Sequence, residues 1–224
     1  MAVITGAAVV IGLIAVVALI AVSGGLGGSE VAAVEQPEVP APAEELREGR
    51  SLGDPDAAVI VDVFEDPQCP ACGLFTERIE PLLIAGPVTD GEVFFTYKDM
   101  AFLGPESFEA AAAMRVAEAM DGKFWDYHQA LFHNQSGEND GAFTLDRLAD
   151  IAELVGLDRE TFLAEMEKPE YRAAVEAETE EAGTLGINST PSLVVGGEVI
   201  RGVPTWEDLS DRIQSAASGE TEPG

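Results

Sequence analysis

Three hydrophobic patterns follow one another along this chain of 224 residues, and the first is a long uncharged segment. From Ala2 to Val22 nearly every residue is apolar or small, and the first charged side chain is Glu30. A helix of that length, at about 1.5 Å per residue, crosses a hydrocarbon core of roughly 30 Å. The pattern predicts a transmembrane signal anchor over residues 1–23. The alternative is a cleaved signal peptide, although the segment exceeds the usual apolar region of about 7–15 residues and no basic residue precedes it.

The second pattern, over residues 24–53, has no apolar period. Glycine, proline, glutamate and alanine dominate it, and this composition is typical of a flexible linker. Ordered structure is therefore predicted to begin near Asp54. The last residues, 219–224, are also polar and rich in glycine, and they are predicted to be a disordered tail.

The third pattern, over residues 54–218, alternates strands and helices. "AAVIVDVFED" is a run of β-branched residues that predicts a strand buried on both faces, and "GEVFFTYKDM" predicts a second strand. Helical periods then fill a block at about 104–170, and one further helix follows it. "PSLVVGGEVIRGV" predicts a hairpin that turns at Gly196-Gly197. Thr205 is predicted to be the N-cap of a last helix, because threonine is a favoured residue at that position.

This order of elements, β-α-β, then helices, then β-β-α, predicts the fold class. The chain is expected to be an α/β protein with a thioredoxin-like fold and an inserted helical domain, preceded by one transmembrane helix and a disordered linker.

The charge of the chain excludes one class of partner. Twelve Lys and Arg against 41 Asp and Glu give a net charge of −29. Binding to a phosphate backbone needs clustered cations, so no nucleic-acid partner is predicted. Otherwise the acidity indicates a strongly solvated surface.

Both cysteines of the chain, Cys69 and Cys72, lie in the stretch "DPQCPACGLF". A zinc site usually has four ligands, and His128 and His133 would be needed to complete one. These histidines are five residues apart in a helical stretch, so they do not share one helix face. A purely structural disulfide across two residues would restrict the unfolded chain little.

A redox pair explains the spacing better. Strand, turn and helix place Cys69 at a helix N-terminus, which stabilises a thiolate, and Cys72 follows one turn later to resolve a mixed disulfide. Pro70 suits the first helical position because that position needs no N–H donor. A pair of cysteines separated by two residues beside a β-α-β pattern is a recognised redox signal. No metal is predicted.

Three blocks of the sequence together resemble one protein family. "FEDPQCPACGLF", "GKFWDYHQALFHNQ" and "LGINSTPSLVVGG" are similar, in this order, to the DsbA-like thiol-disulfide oxidoreductases, in their membrane-anchored form. The resemblance covers roughly residues 54–218. It implies a thioredoxin fold with a helical cap, and a cis-proline opposite the cysteines. The matching proline is Pro191, preceded by Thr190.

The resemblance also implies the function. Cys69 and Cys72 would be the catalytic redox pair, and the backbone at Thr190 and Pro191 would bind an extended substrate chain. The expected activity is disulfide formation in secreted or extracytoplasmic proteins. No bound cofactor is expected. The expected partners are reduced, unfolded polypeptides and a membrane redox protein that recycles the cysteines, with the catalytic domain outside the cytoplasm.

Two alternatives remain on the same residues. The first is a disulfide reductase or isomerase, because the direction of exchange is not encoded in the motif. The second is a chaperone-like module that binds unfolded chains without turnover.

The sequence departs from the family pattern at two positions. Thioredoxin-like proteins often carry a buried acid six residues before the first cysteine, where this chain has Val63. Asp62 should point to the opposite face of the strand, so Glu65 is the better candidate for proton transfer. Ala71 stands where strongly oxidising relatives have histidine, and we therefore expect a pKa of about 5–7 for Cys69.

The histidines of "FWDYHQALFHN" have a simpler interpretation. Aromatic and aliphatic residues at helical spacing normally fill a core. His128 and His133 are therefore predicted to belong to the packing of the helical cap.

Overall fold

The computed structural model describes residues 32–219. The predicted anchor at 1–23 and most of the predicted tail lie outside this range. Within it, no helix combines the length and the apolar composition that crossing a membrane requires.

One mixed sheet of six strands forms the centre of the domain. Its order is β1-β2-β4-β3-β5-β6, and only β3 and β4 run parallel. The strands are β1 (Arg47–Glu48), β2 (Ser51–Leu52), β3 (Val59–Glu65), β4 (Val93–Asp99), β5 (Ser192–Val195) and β6 (Glu198–Arg201). The parallel pair at the centre and the antiparallel β5-β6 hairpin agree with the predicted order of elements.

Strand β3 leads into the cysteine motif, and its burial differs from the prediction. The side chains of Val59, Val61 and Val63 are fully buried, but Ile60 is 54% exposed. The strand is therefore not buried equally on both faces. The apolar composition of the run hid this difference, because Ile60 is hydrophobic although it faces solvent.

The sheet begins earlier than the sequence indicated. Strands β1 and β2 lie inside the segment predicted as linker, a 3-10 turn at Glu44–Leu46 precedes them, and Leu52 is fully buried. The linker prediction was therefore wrong for residues 44–52. Two-residue strands are too short to show an alternating pattern, so nothing in the composition separated them from the tether.

Eight helices accompany the sheet within the described residues. They are α1 (Pro70–Arg78), α2 (Glu80–Leu83), α3 (Pro105–Asp121), α4 (Phe124–His133), α5 (Leu145–Leu154), α6 (Arg159–Met166), α7 (Pro169–Thr184) and α8 (Trp206–Ser218). Five of them, α3 to α7, lie between β4 and β5: α3 to α6 fill the block predicted at about 104–170, and α7 is the further helix predicted after it. Helix α7 packs on β4 and α8 packs on β3 and β5, while α1 contacts α4.

Helix α1 is interrupted shortly before Pro81. It ends at Arg78, Ile79 caps it, and α2 starts at Glu80 and continues as a π-helical turn over Ile84–Val88. Proline at the second position of α2 has no N–H to donate, and the break precedes it. The side chain of Glu80, at the start of the new segment, is fully buried.

The main core lies between the sheet and the helices and is rich in aromatic rings. Trp125, Tyr97, Phe95 and Phe124 are all fully buried. A smaller cluster of Phe64, Met100, Ala182 and Ile187 covers the other face of β3.

Two polar arrangements fix segments that are distant in sequence. An ion network joins the N-terminal part to the helices: Arg50 contacts Glu178 at 2.7 Å, and Arg115 contacts Glu178 at 2.9 Å and Asp99 at 2.6 Å. The chain ahead of the sheet is held by Asn134, whose side chain accepts from the Glu35 N–H at 2.7 Å and donates to the Glu35 carbonyl at 2.8 Å.

The local turn signals were read correctly from the sequence. Gly196 and Gly197 have φ of 57° and 94° in the β5-β6 hairpin, a backbone region that favours glycine. The hydroxyl of Thr205 accepts from the Asp208 N–H at 3.1 Å, which is the predicted cap of α8.

Candidate active site

The two cysteines occupy the first turn of α1. Cys69 is the N-cap residue and Pro70 is the first helical residue, as predicted. The Cys72 N–H donates to the Cys69 carbonyl at 3.0 Å, and neither thiol is in a disulfide. Cys69 is 8% exposed, whereas Cys72 is fully buried. An incoming sulfur can therefore reach Cys69 far more readily than Cys72.

The turn before Cys69 is held by one buried carboxylate. Asp66 accepts the N–H groups of Gln68, Phe102 and Leu103 at 2.9, 2.8 and 3.0 Å, and the Ser107 hydroxyl at 2.6 Å. These bonds connect the cysteine turn to the β4-α3 loop and to α3. An aspartate directly after a strand and before Pro67 is a turn signal, but the partners of Asp66 could not be predicted from the sequence.

A second fastening comes from the end of α4. The Gln135 side-chain amide donates to the carbonyls of Pro67 at 2.6 Å and Cys69 at 3.2 Å. Gly73 in α1 allows this approach, because a Cβ atom on Gly73 would lie 2.2 Å from Gln135 Oε1. The active-site turn is thus clamped from the helical insertion.

Thr190 and Pro191 lie beside Cys69, and the peptide bond between them is cis, as predicted. The Cys69 thiol donates to the Thr190 carbonyl at 3.3 Å. The Thr190 hydroxyl oxygen is buried and has no hydrogen-bond partner among the described residues while Cys69 is protonated, so it is available to donate to the Cys69 thiolate. Both residues predicted to bind substrate are therefore placed at the reactive sulfur.

The surroundings lower the pKa of Cys69 to about 6. The largest cause is a hydrogen bond from the Cys72 thiol, with further hydrogen bonds from the Thr190 hydroxyl and the N–H groups of Cys72 and Ala71, and burial acts in the opposite direction. The value lies in the range of about 5–7 predicted from the helix N-terminus and Ala71.

The pKa of Cys72 is moved the other way, well above its ordinary value. Burial is the main cause, followed by the hydrogen bond to Cys69 and the negative charge of Glu65. The two thiols of one turn therefore differ strongly in acidity. At neutral pH Cys69, the more accessible of the two, is the thiolate, and Cys72 keeps its proton.

Glu65, predicted for proton transfer, is fully buried at the end of β3. Burial raises its pKa well above the ordinary value, and the charges of Glu80 and Cys69 raise it further. Val63 is also buried, whereas Asp62 is partly exposed and feels the charge of Lys98. The alternation expected along the strand is therefore present.

Two residues near Glu65 have an arrangement that the sequence reasoning missed. His128 Nε2 lies 3.5 Å from Glu65 Oε2 and 3.8 Å from Glu80 Oε2, and all three side chains are fully buried. Packing among aromatic rings was correctly predicted for His128: its ring centroid lies 4.7 Å from Phe132 and 5.3 Å from Trp125. Nothing in the sequence indicated this group of three side chains, because Glu80 comes close to Glu65 and His128 only as a result of the helix break at Ile79.

His133 has a different environment. It is exposed, whereas His128 is fully buried, so the two histidines do not form the ligand pair that the zinc alternative needs. His133 lines a groove of about 520 Å³ behind α1. Other lining residues are Thr76, Gln129 and Gln135, and the segment Pro37–Val39 closes one side.

Comparison with known proteins agrees with this geometry. The family model described as Thioredoxin matches residues 45–215. Disulfide bond formation protein D of Bacillus subtilis is 28% identical over 171 residues, which cover 75% of this chain and 77% of that protein.

Solved structures show the same relationship. The structure of oxidised BdbD from Bacillus subtilis has 26% identity and a TM-score of 0.71, and the match covers 83% of this chain and 100% of that chain. The DsbA of Chlamydia trachomatis is similar at the level of the fold, with 22% identity, a TM-score of 0.69 and coverage of 84% and 100%.

A more accessible, acidic thiol and a fully buried resolving thiol on one helix turn suit thiol-disulfide exchange. The matched region includes the whole sheet, all eight helix starts and the cysteine pair. The chain belongs to the thioredoxin family, as a DsbA-like thiol-disulfide oxidoreductase.

Proposed function

We propose that this enzyme introduces disulfides into extracytoplasmic proteins, with Cys69 as the attacked sulfur and Cys72 as the resolving sulfur. The observation that carries the proposal is the difference in acidity between the two thiols. A pKa of about 6 stabilises the Cys69 thiolate, and hence the reduced enzyme, at neutral pH. A disulfide whose reduced form is stabilised tends to be passed on to other thiols.

The exchange has two steps. A substrate thiolate attacks Cys69 Sγ of the enzyme disulfide, the Cys69–Cys72 bond breaks, and Cys72 takes up a proton. A second substrate thiolate then attacks the substrate sulfur of the mixed disulfide, and Cys69 leaves as a thiolate. Two electrons pass from the substrate thiols to the enzyme, and the substrate gains one disulfide.

The backbone at Thr190 and Pro191 is proposed to bind the substrate. The Thr190 carbonyl lies 3.3 Å from Cys69 Sγ, and β5 begins immediately afterwards at Ser192. An extended substrate chain that pairs with this backbone would present its cysteine to Cys69.

Glu65 is proposed to hold the proton that Cys72 gains and loses. Its charge is one of the causes that raise the pKa of Cys72, so the two groups are electrostatically close. Both side chains are fully buried, and bulk water therefore cannot serve Cys72 directly.

The cellular setting is proposed from the sequence pattern. Residues 1–23 would anchor the enzyme, with the catalytic domain outside the cytoplasm, where disulfides persist. Reduced secreted polypeptides would be substrates and a membrane redox protein would reoxidise the pair, without a bound cofactor. Carbonate extraction of membranes tests the anchor, and release of the full-length protein would contradict it.

The catalytic assignment is tested with a reduced, unfolded protein substrate. Cys69→Ser should abolish oxidation of the reduced substrate. Cys72→Ser, incubated with the disulfide-bonded form of the same substrate, should accumulate a mixed disulfide, because Cys69 attacks the substrate disulfide and the resolving sulfur is absent. Glu92→Ala, at an exposed site, serves as the control. A Cys69→Ser variant that retained the full effect on the substrate would instead support a chaperone-like module.

The direction of exchange is tested by the reduction potential of the enzyme. Cys69 is less acidic than the first thiol of a strong oxidase, and each pKa unit of about 1.4 kcal/mol corresponds to roughly 30 mV for two electrons. We expect a potential between about −120 mV and about −270 mV. Equilibration with glutathione measures it, and a value at or below the lower limit would make the protein a reductase.

A further inference from the structure

The buried group formed by Glu65, Glu80 and His128 has no evident structural purpose. Among the described residues, His128 is the only basic side chain within 4 Å of either carboxyl group. Glu65 Oε1, Glu80 Oε2 and His128 Nδ1 are buried and make no hydrogen bonds to other described residues. Burying such groups without partners destabilises a fold, so an arrangement of this kind calls for a function.

Thiol-disulfide exchange at Cys72 requires side chains that can carry protons. Cys72 must gain a proton when it leaves the disulfide and lose it when the disulfide forms again. Glu65 can exchange that proton once, but Glu65 is itself fully buried and must be reloaded before the next exchange. A second proton carrier between Glu65 and solvent is therefore required.

The geometry leads from Glu65 to the groove behind α1. His128 Nε2 lies between the two carboxyl groups, 3.5 Å from one and 3.8 Å from the other. On the far side, Glu80 Oε1 accepts from the Gln129 side-chain amide at 2.6 Å. Gln129 and Thr76 line the groove, so one layer of side chains separates Glu80 from water.

We propose that Glu80 and His128 continue the proton path that begins at Glu65, and connect Cys72 to solvent at the groove behind α1. The proposal rests on the proposed role of Glu65 in thiol-disulfide exchange. Glu80 and His128 act through Glu65 and do not touch the reacting sulfurs.

Each step conserves protons. When Cys72 leaves as a thiolate, Glu65 gives it a proton and becomes a carboxylate. His128 Nε2 passes a proton from the carboxyl group of Glu80 to Glu65, and Glu80 regains one from water at the groove. Reoxidation runs the same transfers in reverse. The path moves no electrons.

The protonation states of the group agree with this role. Burial raises the pKa of Glu80 to about 8, so it holds a proton at neutral pH, although the hydrogen bond from Gln129 acts against this. Burial lowers the pKa of His128 to about 3, so its resting state is neutral and it can accept a proton only transiently. The other titratable groups that face this cluster are Cys69, Cys72 and Tyr97.

A metal ion is the competing occupant, since the three ligand atoms lie within 4.8 Å of one another. A structural zinc site normally has four protein ligands, and a catalytic one has three and a position open to solvent. Here three ligands are present and all are fully buried. This arrangement favours a role in proton transfer over the binding of a metal ion.

The test uses full-length enzyme solubilised in detergent, with dithiothreitol as the reductant and oxidised glutathione as the oxidant that completes each turnover. Glu80→Gln keeps the shape of the side chain and removes its proton. We expect multiple-turnover thiol-disulfide exchange at pH 7 to slow about tenfold or more, with a larger solvent deuterium effect. The pKa of Cys69, followed by thiolate absorbance, should stay at the wild-type value. Glu92→Gln at an exposed site is the matched control and should change nothing.

A spectroscopic measurement on the wild-type protein covers the case in which Glu80→Gln does not fold. The reduced-minus-oxidised infrared spectrum should contain carboxylic acid bands that shift on ¹³C-glutamate labelling. Wild-type kinetics in Glu80→Gln, or the absence of such bands, would overturn the relay. So would a stoichiometric metal in the purified protein.

The outcomes separate this proposal from the proposed function. Dithiothreitol reports on the relay without any physiological substrate. If protein substrates are oxidised normally and Glu80→Gln is as fast as wild type, the relay fails and the function stands. If protein substrates are not oxidised but Glu80→Gln still slows reduction by dithiothreitol, the relay stands and the direction assigned to the enzyme fails.

Discussion

Thr190 contacts Cys69 through two atoms that act in opposite directions on the thiol. Its carbonyl accepts a hydrogen bond from the protonated sulfur at 3.3 Å and so favours the thiol. Its hydroxyl can donate to the thiolate, and this contribution lowers the pKa of Cys69. Thr190 therefore lowers the pKa of Cys69 through its side chain and binds the protonated thiol through its backbone carbonyl.

This division of roles predicts the effect of Thr190→Val, which keeps the shape and removes the donor. We expect the pKa of Cys69 to rise by about one unit, equivalent to ~1.4 kcal/mol, and the disulfide to become a weaker oxidant. Thiolate absorbance against pH measures the change. Thr184→Val, at an exposed site, is the control. An unchanged pKa would mean that Cys72 and the backbone N–H groups alone set the acidity of Cys69.

At the scale of elements, the contact between α1 and the end of α4 positions the cysteine turn. Gln135 reaches over Gly73 and donates to the carbonyls of Pro67 and Cys69. The absence of a Cβ atom at Gly73 is what allows this approach. One glycine in a helix interior, which weakens the helix itself, therefore makes the clamp possible.

A pair of variants tests this interpretation. Glycine to alanine in a helix usually stabilises by about 0.5–1 kcal/mol, but at Gly73 the new Cβ should displace Gln135 and cost about 1 kcal/mol for each lost hydrogen bond. We expect Gly73→Ala to destabilise the wild-type protein and to stabilise the Gln135→Ala variant. Urea unfolding of the four proteins measures the coupling. Additive effects would show that Gly73 and Gln135 are independent.

The elements themselves were largely predictable from the sequence, and the contacts between them were not. The cysteine helix, the β5-β6 hairpin and the Thr205 cap each have a local signal within a few residues. Glu80 and Asp66 have none that reveals their partners, because His128 and Ser107 reach them from the insertion. Strands β1 and β2 could not be predicted, because they are defined by pairing, β2 with β4 and β1 with β2, and two residues cannot show a period.

At the scale of the whole molecule, one ion network connects the N-terminal strands to the sheet and the insertion. Arg50 lies between β1 and β2, Asp99 ends β4, and Arg115 and Glu178 belong to α3 and α7. Burial is the largest single influence on the pKa of Glu178 and raises it. The hydrogen bond and the charge of Arg50 nevertheless keep this pKa below its ordinary value. The interaction of Glu178 with its arginine partners therefore outweighs the cost of removing the carboxylate from water.

Removing one member of this network should have a large effect on stability. Arg50→Ala is expected to lower the free energy of unfolding by about 2–3 kcal/mol, somewhat less than for a wholly isolated buried charge, because Arg115 still contacts Glu178. Arg172→Ala is the control: Arg172 also pairs with two carboxylates, Glu109 and Glu176, but the groups are about half exposed. Exposed pairs contribute about 0–1 kcal/mol. Equal losses in urea unfolding would contradict the assignment.

The pair of hydrogen bonds between the Asn134 side chain and the Glu35 backbone has a mechanical consequence. The two bonds, at 2.7 and 2.8 Å, lie side by side, so a pull on the chain ahead of Glu35 loads both at once. Once the earlier contact between Arg147 and the Ala32 carbonyl is broken, the load enters the domain at the end of α4. The next residue is Gln135, which holds the carbonyl of Cys69. Tension on the N-terminal segment would therefore reach the folded domain one residue away from the clamp on the reactive cysteine.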